Sequence, residues 1–177
     1  MTEYTPNAAA APGTSRVGRR CLVISLLVAA AWYAADQLSK LWVVENLPIG
    51  RQYPVISGLL WWEHIRNSGA AFSLGSNVTW VFTIVMAVVI VAILWNLRRV
   101  RDPLWALALG LVLGGAAGNL TDRLFREPSF AHGHVVDFIA VPRFAIFNVA
   151  DCGVVVGVVL ILVLIMTNRQ MEVPRGR

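Results

Sequence analysis

Four aspartates stand in short polar clusters at the ends of apolar stretches. They are Asp36 in Asp36-Gln37-Leu38-Ser39-Lys40, Asp122 in Gly118-Asn119-Leu120-Thr121-Asp122-Arg123, Asp137 in Val135-Val136-Asp137-Phe138 and Asp151 in Phe147-Asn148-Val149-Ala150-Asp151. A fifth cluster, Asn67-Ser68-Gly69-Ala70-Ala71-Phe72, carries no acid. Ionisable groups at the edge of hydrocarbon are costly unless paired, wetted or used, so each is a functional candidate. Asp36 and Lys40 are four apart, as are Asn119 and Arg123, while Asn119 with Asp122 and Asn148 with Asp151 are three apart. Each pair therefore shares a helical face. Taken singly, each is also explained as an ion pair or amide that locks a helix end. If Lys40 neutralises Asp36 and Arg123 neutralises Asp122, Asp137 and Asp151 are left without a cation. Two carboxyls held together in a partly dry site cannot both ionise cheaply, so one keeps a proton. One can then act as general base on a water while the other protonates a carbonyl oxygen or a leaving nitrogen. That is aspartic-protease chemistry, with no metal, no cofactor and no covalent intermediate.

Membrane-spanning helices must position these groups. The 177 residues are 57% hydrophobic and 14% charged, with a mean hydropathy of +0.65, too apolar for an ordinary soluble domain. Four stretches reach the roughly 20 apolar residues of a span: Cys21 to Val44, Val78 to Leu97, Leu104 to Thr121, and Phe144 to Thr167 with Asp151 inside it. The expected fold is an all-α membrane protein, a four-transmembrane-helix bundle with a small extracytoplasmic β-sheet and loop elements. Residues 1–20, rich in Ala, Pro, Ser and Thr, read as a disordered cytoplasmic tail, 21–168 as the membrane domain and 169–177 as a second cytoplasmic tail. In the external segment at about 45–77, the β-branched and aromatic run Tyr53 to Arg66 predicts a small sheet or hairpin lying on the membrane. Trp61 and Trp62 suit the headgroup level. A second external segment, Leu124 to Arg143, contains Asp137. Gly110, Gly114 and Gly118 recur every four residues, and Asp122 continues that row. Small residues in such rows let helices approach closely, so Asp122 is expected to face the bundle interior.

Arginines mark the orientation. Arg16, Arg19 and Arg20 precede the first span, Arg98, Arg99 and Arg101 link the second to the third, and Arg169, Arg175 and Arg177 follow the fourth. With four spans these clusters share one side, which the positive-inside rule makes cytoplasmic, with both termini there. The net charge of +5 thus reports topology and contact with membrane lipid, and nothing points to nucleic acid. Cys21 follows Arg19-Arg20 and lacks the small-residue context of a lipidation site, and the apolar run after it leads into Asp36 rather than a cleavage site. Cys21 and Cys152 fall near opposite faces, which argues against a disulfide. His132 and His134 lack a third ligand at metal-site spacing. No Gly-x-Ser-x-Gly elbow accompanies the histidines.

The five clusters, in this order and in this relation to four spans, resemble the prolipoprotein signal peptidase family, also called signal peptidase II. The resemblance covers nearly the whole chain apart from the N-terminal tail, and its most specific parts are Gly114 to Arg123 and Phe147 to Asp151. It implies a membrane aspartyl endopeptidase of the bacterial cytoplasmic (inner) membrane, with its site at the outer leaflet face. Its substrates would be lipoprotein precursors carrying diacylglycerol on a cysteine, cut just before that cysteine. It implies that Asp137 and Asp151 form the catalytic dyad, and that Asp36, Asn67, Asn119, Asp122, Arg123 and Asn148 line or brace the site. Lys40 joins them through its pairing with Asp36, and Asn67 and Arg123 are expected to contact the substrate backbone. The partners are then the lipid-modified precursors and membrane lipid, with the enzyme a monomer. The link from Arg123 to Asp137 is longer than the family pattern suggests, and that from Asp137 to Asp151 shorter. From a different class, a small proton-coupled transporter or channel subunit would also use intramembrane acids. It would favour discontinuous spans or inverted repeats, neither of which is visible.

Overall fold

In the computed structural model, which describes residues 13–69 and 79–172, the chain runs α1 (Gly13–Asn46), β1 (Gln52–Ile56), β2 (Leu60–Asn67), α2 (Thr79–Leu97), α3 (Pro103–Phe125), β3 (Val135–Ala140) and α4 (Val149–Met166). All four helices are long and apolar enough to cross a membrane. The expected bundle with a small open sheet is what forms.

α3 is the central helix. Asp102 caps its start by accepting the Leu104 and Trp105 N–H groups at 2.8 and 3.2 Å, and Pro103 sits where a missing N–H costs nothing. From Ala106 to Arg123 most of the helix is buried, packed against α1, α2 and α4. Its glycines make that closeness possible. A Cβ on Gly114 would stand 2.6 Å from the Ala29 carbonyl oxygen of α1, and one on Gly118 would overlap the Asp36 carboxylate. The row from Gly110 to Asp122 therefore runs along α1, inside the bundle as its spacing predicts. Gly118→Ala should lower stability by about 1–3 kcal/mol, because Asp36 must move to admit the methyl. Thermal unfolding in detergent would measure it; an unchanged midpoint would show that the contact is slack.

Two helix starts differ from expectation. α1 begins at Gly13, ahead of the expected Cys21. At 1.5 Å per residue its 34 residues run about 51 Å, more than the roughly 30 Å of hydrocarbon. The Arg16–Arg20 stretch thus continues the helix beyond the apolar run, and residues 1–12 of the expected tail lie outside the described residues, as do 173–177. α4 begins at Val149 and not at Phe144. Phe147 instead exchanges backbone hydrogen bonds with Ile139 at 2.8 and 3.1 Å, and Asn148 then caps the helix. Asp151 accordingly lies in the first turn, not a turn inside the span.

The external hairpin forms as predicted from β1 and β2, but a third strand joins it in the order β1-β2-β3, all antiparallel. Asp137 sits on that strand, in the segment expected to be a loop; the β-branched residues Val135, Val136 and Ile139 were the available signal. Trp62 anchors the sheet, with ring centroids 6.4 Å from Trp42 of α1 and 5.4 Å from Phe138 of β3. Val43, Val136 and Phe138 form a buried cluster beneath it.

Candidate active site

Register puts Asp137 in reach of Asn67. Ile65 lies opposite Asp137 and Asn67 opposite Val135, so Asn67 is the diagonal cross-strand neighbour on the same face. Asn67 Nδ2 donates to Asp137 Oδ2 at 2.8 Å, and Asn148 Nδ2 donates to Oδ1 at 2.6 Å. Asp137 is only 2% exposed. Burial first, and the charge of Asp151 second, push its carboxyl up to about 7, against the opposing pull of the Asn67 and Asn148 donors and of Lys40.

Asp151 is held by the start of α4. Asn148 accepts the Asp151 N–H at 3.0 Å, and Asp151 Oδ2 accepts the Asn148 N–H at 3.2 Å, closing a capping box. Asn119 Nδ2 donates to Asp151 Oδ1 at 2.8 Å. Both Asp151 oxygens thus accept hydrogen bonds, which fixes the carboxyl in the first turn of α4. Asn148 touches both acids, and its Nδ2 also lies 3.1 Å from Asn119 Oδ1.

Behind this pair lies a second row. Lys40 Nζ is 2.9 Å from Asp36 Oδ2, 2.8 Å from Asp122 Oδ2 and donates to Asn119 Oδ1 at 2.8 Å. Asp36 Oδ1 accepts the Ala150 N–H at 2.9 Å, and Asp122 Oδ2 accepts the Val136 N–H at 3.2 Å. The sequence pairing of Asp122 with Arg123 is not what forms. Arg126, one turn on, binds Asp122 Oδ1 at 2.6 Å. Arg123 points elsewhere, its NH1 donating to the carbonyls of Asn67, Ser68 and Gly133 at 3.0–3.2 Å and its NH2 to that of Gly69. Its buried Nε has no hydrogen-bond partner among the described residues. Arg123 thus pins the end of β2, which carries Asn67. The remainder of that cluster, Ala70 to Phe72, lies outside the described residues. Arg126 and Gln37, whose Nε2 donates to Asp36 Oδ2 at 3.0 Å and to the Gly118 carbonyl at 3.1 Å, were missed as members. For Arg126 the i, i+4 spacing from Asp122 was a usable signal, overshadowed by the adjacent Arg123.

All nine residues singled out in the sequence thus belong to one connected network. Five of them, Asn67, Asn119, Arg123, Asp137 and Asp151, line a cavity of about 600 Å³. Its remaining walls are mostly apolar, including Phe82 and Met86 of α2 and Val155 and Val156 of α4. A concave apolar site with a few convergent polar groups, one of them with a strongly raised pKa, is the usual form of a binding or catalytic pocket. Among the described residues no group of three His, Cys, Asp or Glu side chains is arranged to hold a metal ion. Two carboxyls at the wall of one cavity can, as a matter of chemistry, move protons to and from a bound water.

The sequence model of the family described as signal peptidase (SPase) II matches residues 28–167. A lipoprotein signal peptidase of Leifsonia xyli subsp. xyli is 42% identical over 174 residues, covering 98% of this chain and 81% of that protein. One from Mycobacterium avium is 46% identical over 159 residues, covering 90% and 86% respectively. Among solved structures, a bacterial membrane enzyme determined by the in meso method at 2.3 Å resolution aligns with a TM-score of 0.74 at 28% identity, covering 85% of this chain and 94% of that one.

Proposed function

This chain belongs to the signal peptidase II family, and from that premise we propose that it is an aspartyl endopeptidase of the bacterial inner membrane. Its substrates are lipoprotein precursors carrying diacylglycerol on a cysteine, and it cuts the peptide bond just before that cysteine. The observation that carries the chemistry is the shared hold of Asn148 on Asp137 and Asp151 at the wall of one apolar cavity. Their unequal settings support the division of labour. Asp137, buried and raised to about 7, is assigned the role of acid, and Asp151, held in the first turn of α4, that of base.

Asp151 takes a proton from a water, whose oxygen adds to the scissile carbonyl carbon while Asp137 gives its proton to the carbonyl oxygen. In the collapse, the proton on Asp151 passes to the leaving nitrogen and a hydroxyl proton of the tetrahedral centre returns to Asp137. The C–N bond breaks, one water is consumed, and both acids regain their starting states. Asn67 and Arg123 line the cavity and are the residues proposed to meet the substrate backbone. Asp36, Lys40, Asn119, Asp122 and Asn148 brace the acids.

The architecture suits such a substrate. Each buried methylene contributes about 0.8 kcal/mol, so two acyl chains hold the lipidated cysteine in the outer leaflet. The apolar stretch of a signal peptide is itself a membrane helix. The scissile bond is then offered at the end of a span, where Asp151 lies, and the apolar cavity walls supplied by α2 and α4 offer that helix a lateral path. Both termini would face the cytoplasm, the protein would act as a monomer amid membrane lipid, and residues 21–168 would make up the peptidase unit.

The test pairs purified protein with a diacylglyceryl-modified precursor peptide and its unlipidated twin. Cleavage of the first at the bond before the cysteine, with the second left at least about a hundredfold slower, is the expected result, since losing two acyl chains removes binding worth many kcal/mol. Equal cutting of both, or of neither by folded protein, overturns the assignment.

A further inference from the structure

Lys40 is fully buried and does not line the cavity, so its role cannot be contact with substrate. Its ammonium has three N–H groups and three partners, Asp36 on α1 and Asp122 and Asn119 on α3. What each partner does with its other atoms is the informative point. Asp36 accepts the N–H of Ala150, the residue before Asp151. Asp122 accepts the N–H of Val136, the residue before Asp137. Asn119 donates directly to Asp151.

We infer that Lys40 is the positioning residue of the dyad: one buried ammonium ties together the acids that hold the backbone beside each catalytic aspartate, and so sets the separation of Asp137 and Asp151. The inference deepens the peptidase assignment and rests on it. Asp137 arrives on a strand and Asp151 on a helix, and β3 and α4 are joined by only a short link, so their spacing needs a common reference. The Asp36–Lys40–Asp122 row is that reference. Lys40 also fixes the Asn119 amide: with Oδ1 turned to the ammonium, Nδ2 must face Asp151. Two acids on one cation would leave excess negative charge, and Arg126 supplies the balance at Asp122 Oδ1. A planar guanidinium could not meet three partners disposed around one nitrogen, so lysine is required here for its shape as well as its charge.

The alternative is that the row merely fastens α1 to α3. Two variants separate the roles. Lys40→Arg keeps the charge and loses the three-way geometry. Lys40→Met with Asp36→Asn removes one charge of each sign and leaves Asp122 paired with Arg126, so no unpaired acid is added to the interior. Both should remain folded by thermal melt. With the lipidated precursor, kcat should fall about a hundredfold in each, the loss typical of an ångström-scale misplacement of reacting groups, with KM changed less than threefold. The pH profile adds a second readout, the effect of the Lys40 charge on Asp137, beside the split between kcat and KM that separates positioning from fastening. The charges acting on Asp137 are Asp151 of α4, Lys40 of α1 and Arg123 of α3, with neutral Asn67 of β2 and Asn148 bonded to it. Removing the Lys40 charge should shift the alkaline limb of kcat/KM to higher pH in the double variant, while Lys40→Arg leaves it in place. Folded variants with wild-type kcat overturn the inference. So does a loss of rate that tracks only a lowered melting point, with the pH limb unmoved. Failure of the wild-type protein to cut the precursor would instead sink the peptidase assignment itself, so the two failures are distinct.

Discussion

Asp137→Asn and Asp151→Asn should each lower kcat on a lipidated precursor by about 10³–10⁴-fold, the upper range for losing a positioned acid or base. The two substitutions remove different things. Asn at 137 cannot give a proton to the carbonyl oxygen, and Asn at 151 cannot take one from water. The proposed mechanism has the acids act as a unit, so the double variant should be little worse than either single one. Folding has to be checked separately at position 151, because one of its oxygens closes the capping box on α4, and loss of such a cap costs about 1 kcal/mol. The observed fold should survive that. Cleavage followed by the mass change of the precursor, alongside melts in detergent, decides the matter. Either variant retaining more than about a tenth of wild-type kcat, against the expected loss, would remove the dyad.

Stability should fall as pH rises from about 4 to 7, and Asp137 should be the cause. Its ordinary value is 3.8, and in the fold it is raised to about 7, chiefly by burial and then by Asp151. Between those values the unfolded chain has released its proton while the folded protein still holds one. The folded state therefore binds more protons, and its stability drops with increasing pH across that window. At about 1.4 kcal/mol per pH unit the loss from this one group reaches roughly 4 kcal/mol. Below the window the acid is neutral in both states; above it the penalty is constant. Asp137→Asn should flatten that slope, and equal slopes in the two proteins would assign the effect elsewhere. In the proposed mechanism the same proton is used in cleavage, so kcat/KM of the wild type should decline above about pH 7.

The spans and the glycine row were legible because they depend on residue types and intervals within a single helix. The grouping of the polar residues from several helices and strands was suggested instead by the order of the five clusters. Gly110, Gly114 and Gly118 meet α1, inside the bundle as their spacing predicts, and Asp122 follows them to Lys40. What the sequence concealed were choices made between elements. Arg123 and Arg126 are both within reach of Asp122 by spacing. Only the tertiary fold, which places four carbonyls around Arg123, sends that guanidinium to the end of β2. The Phe144–Phe147 stretch is as apolar as the helix that follows it, so hydropathy could not show that Phe147 pairs with Ile139 and holds back the start of α4. Strand β3 was hidden for the same reason: its residues read as an apolar external run until the β2 edge supplied its hydrogen-bond partners.

Asn148 starts α4, orients Asp137 and closes a ring of hydrogen bonds with Asp151. The residue that caps the helix is thus also the one that bridges the two acids, so a single exchange there disturbs both at once. Asn148 itself is fully buried and stands behind the cavity wall, so a bound molecule would meet this ring only through Asp137 and Asp151. The greasy lining is free of that coupling: at Phe82, Met86 or Val155 a change of bulk reshapes the cavity and leaves the polar framework intact.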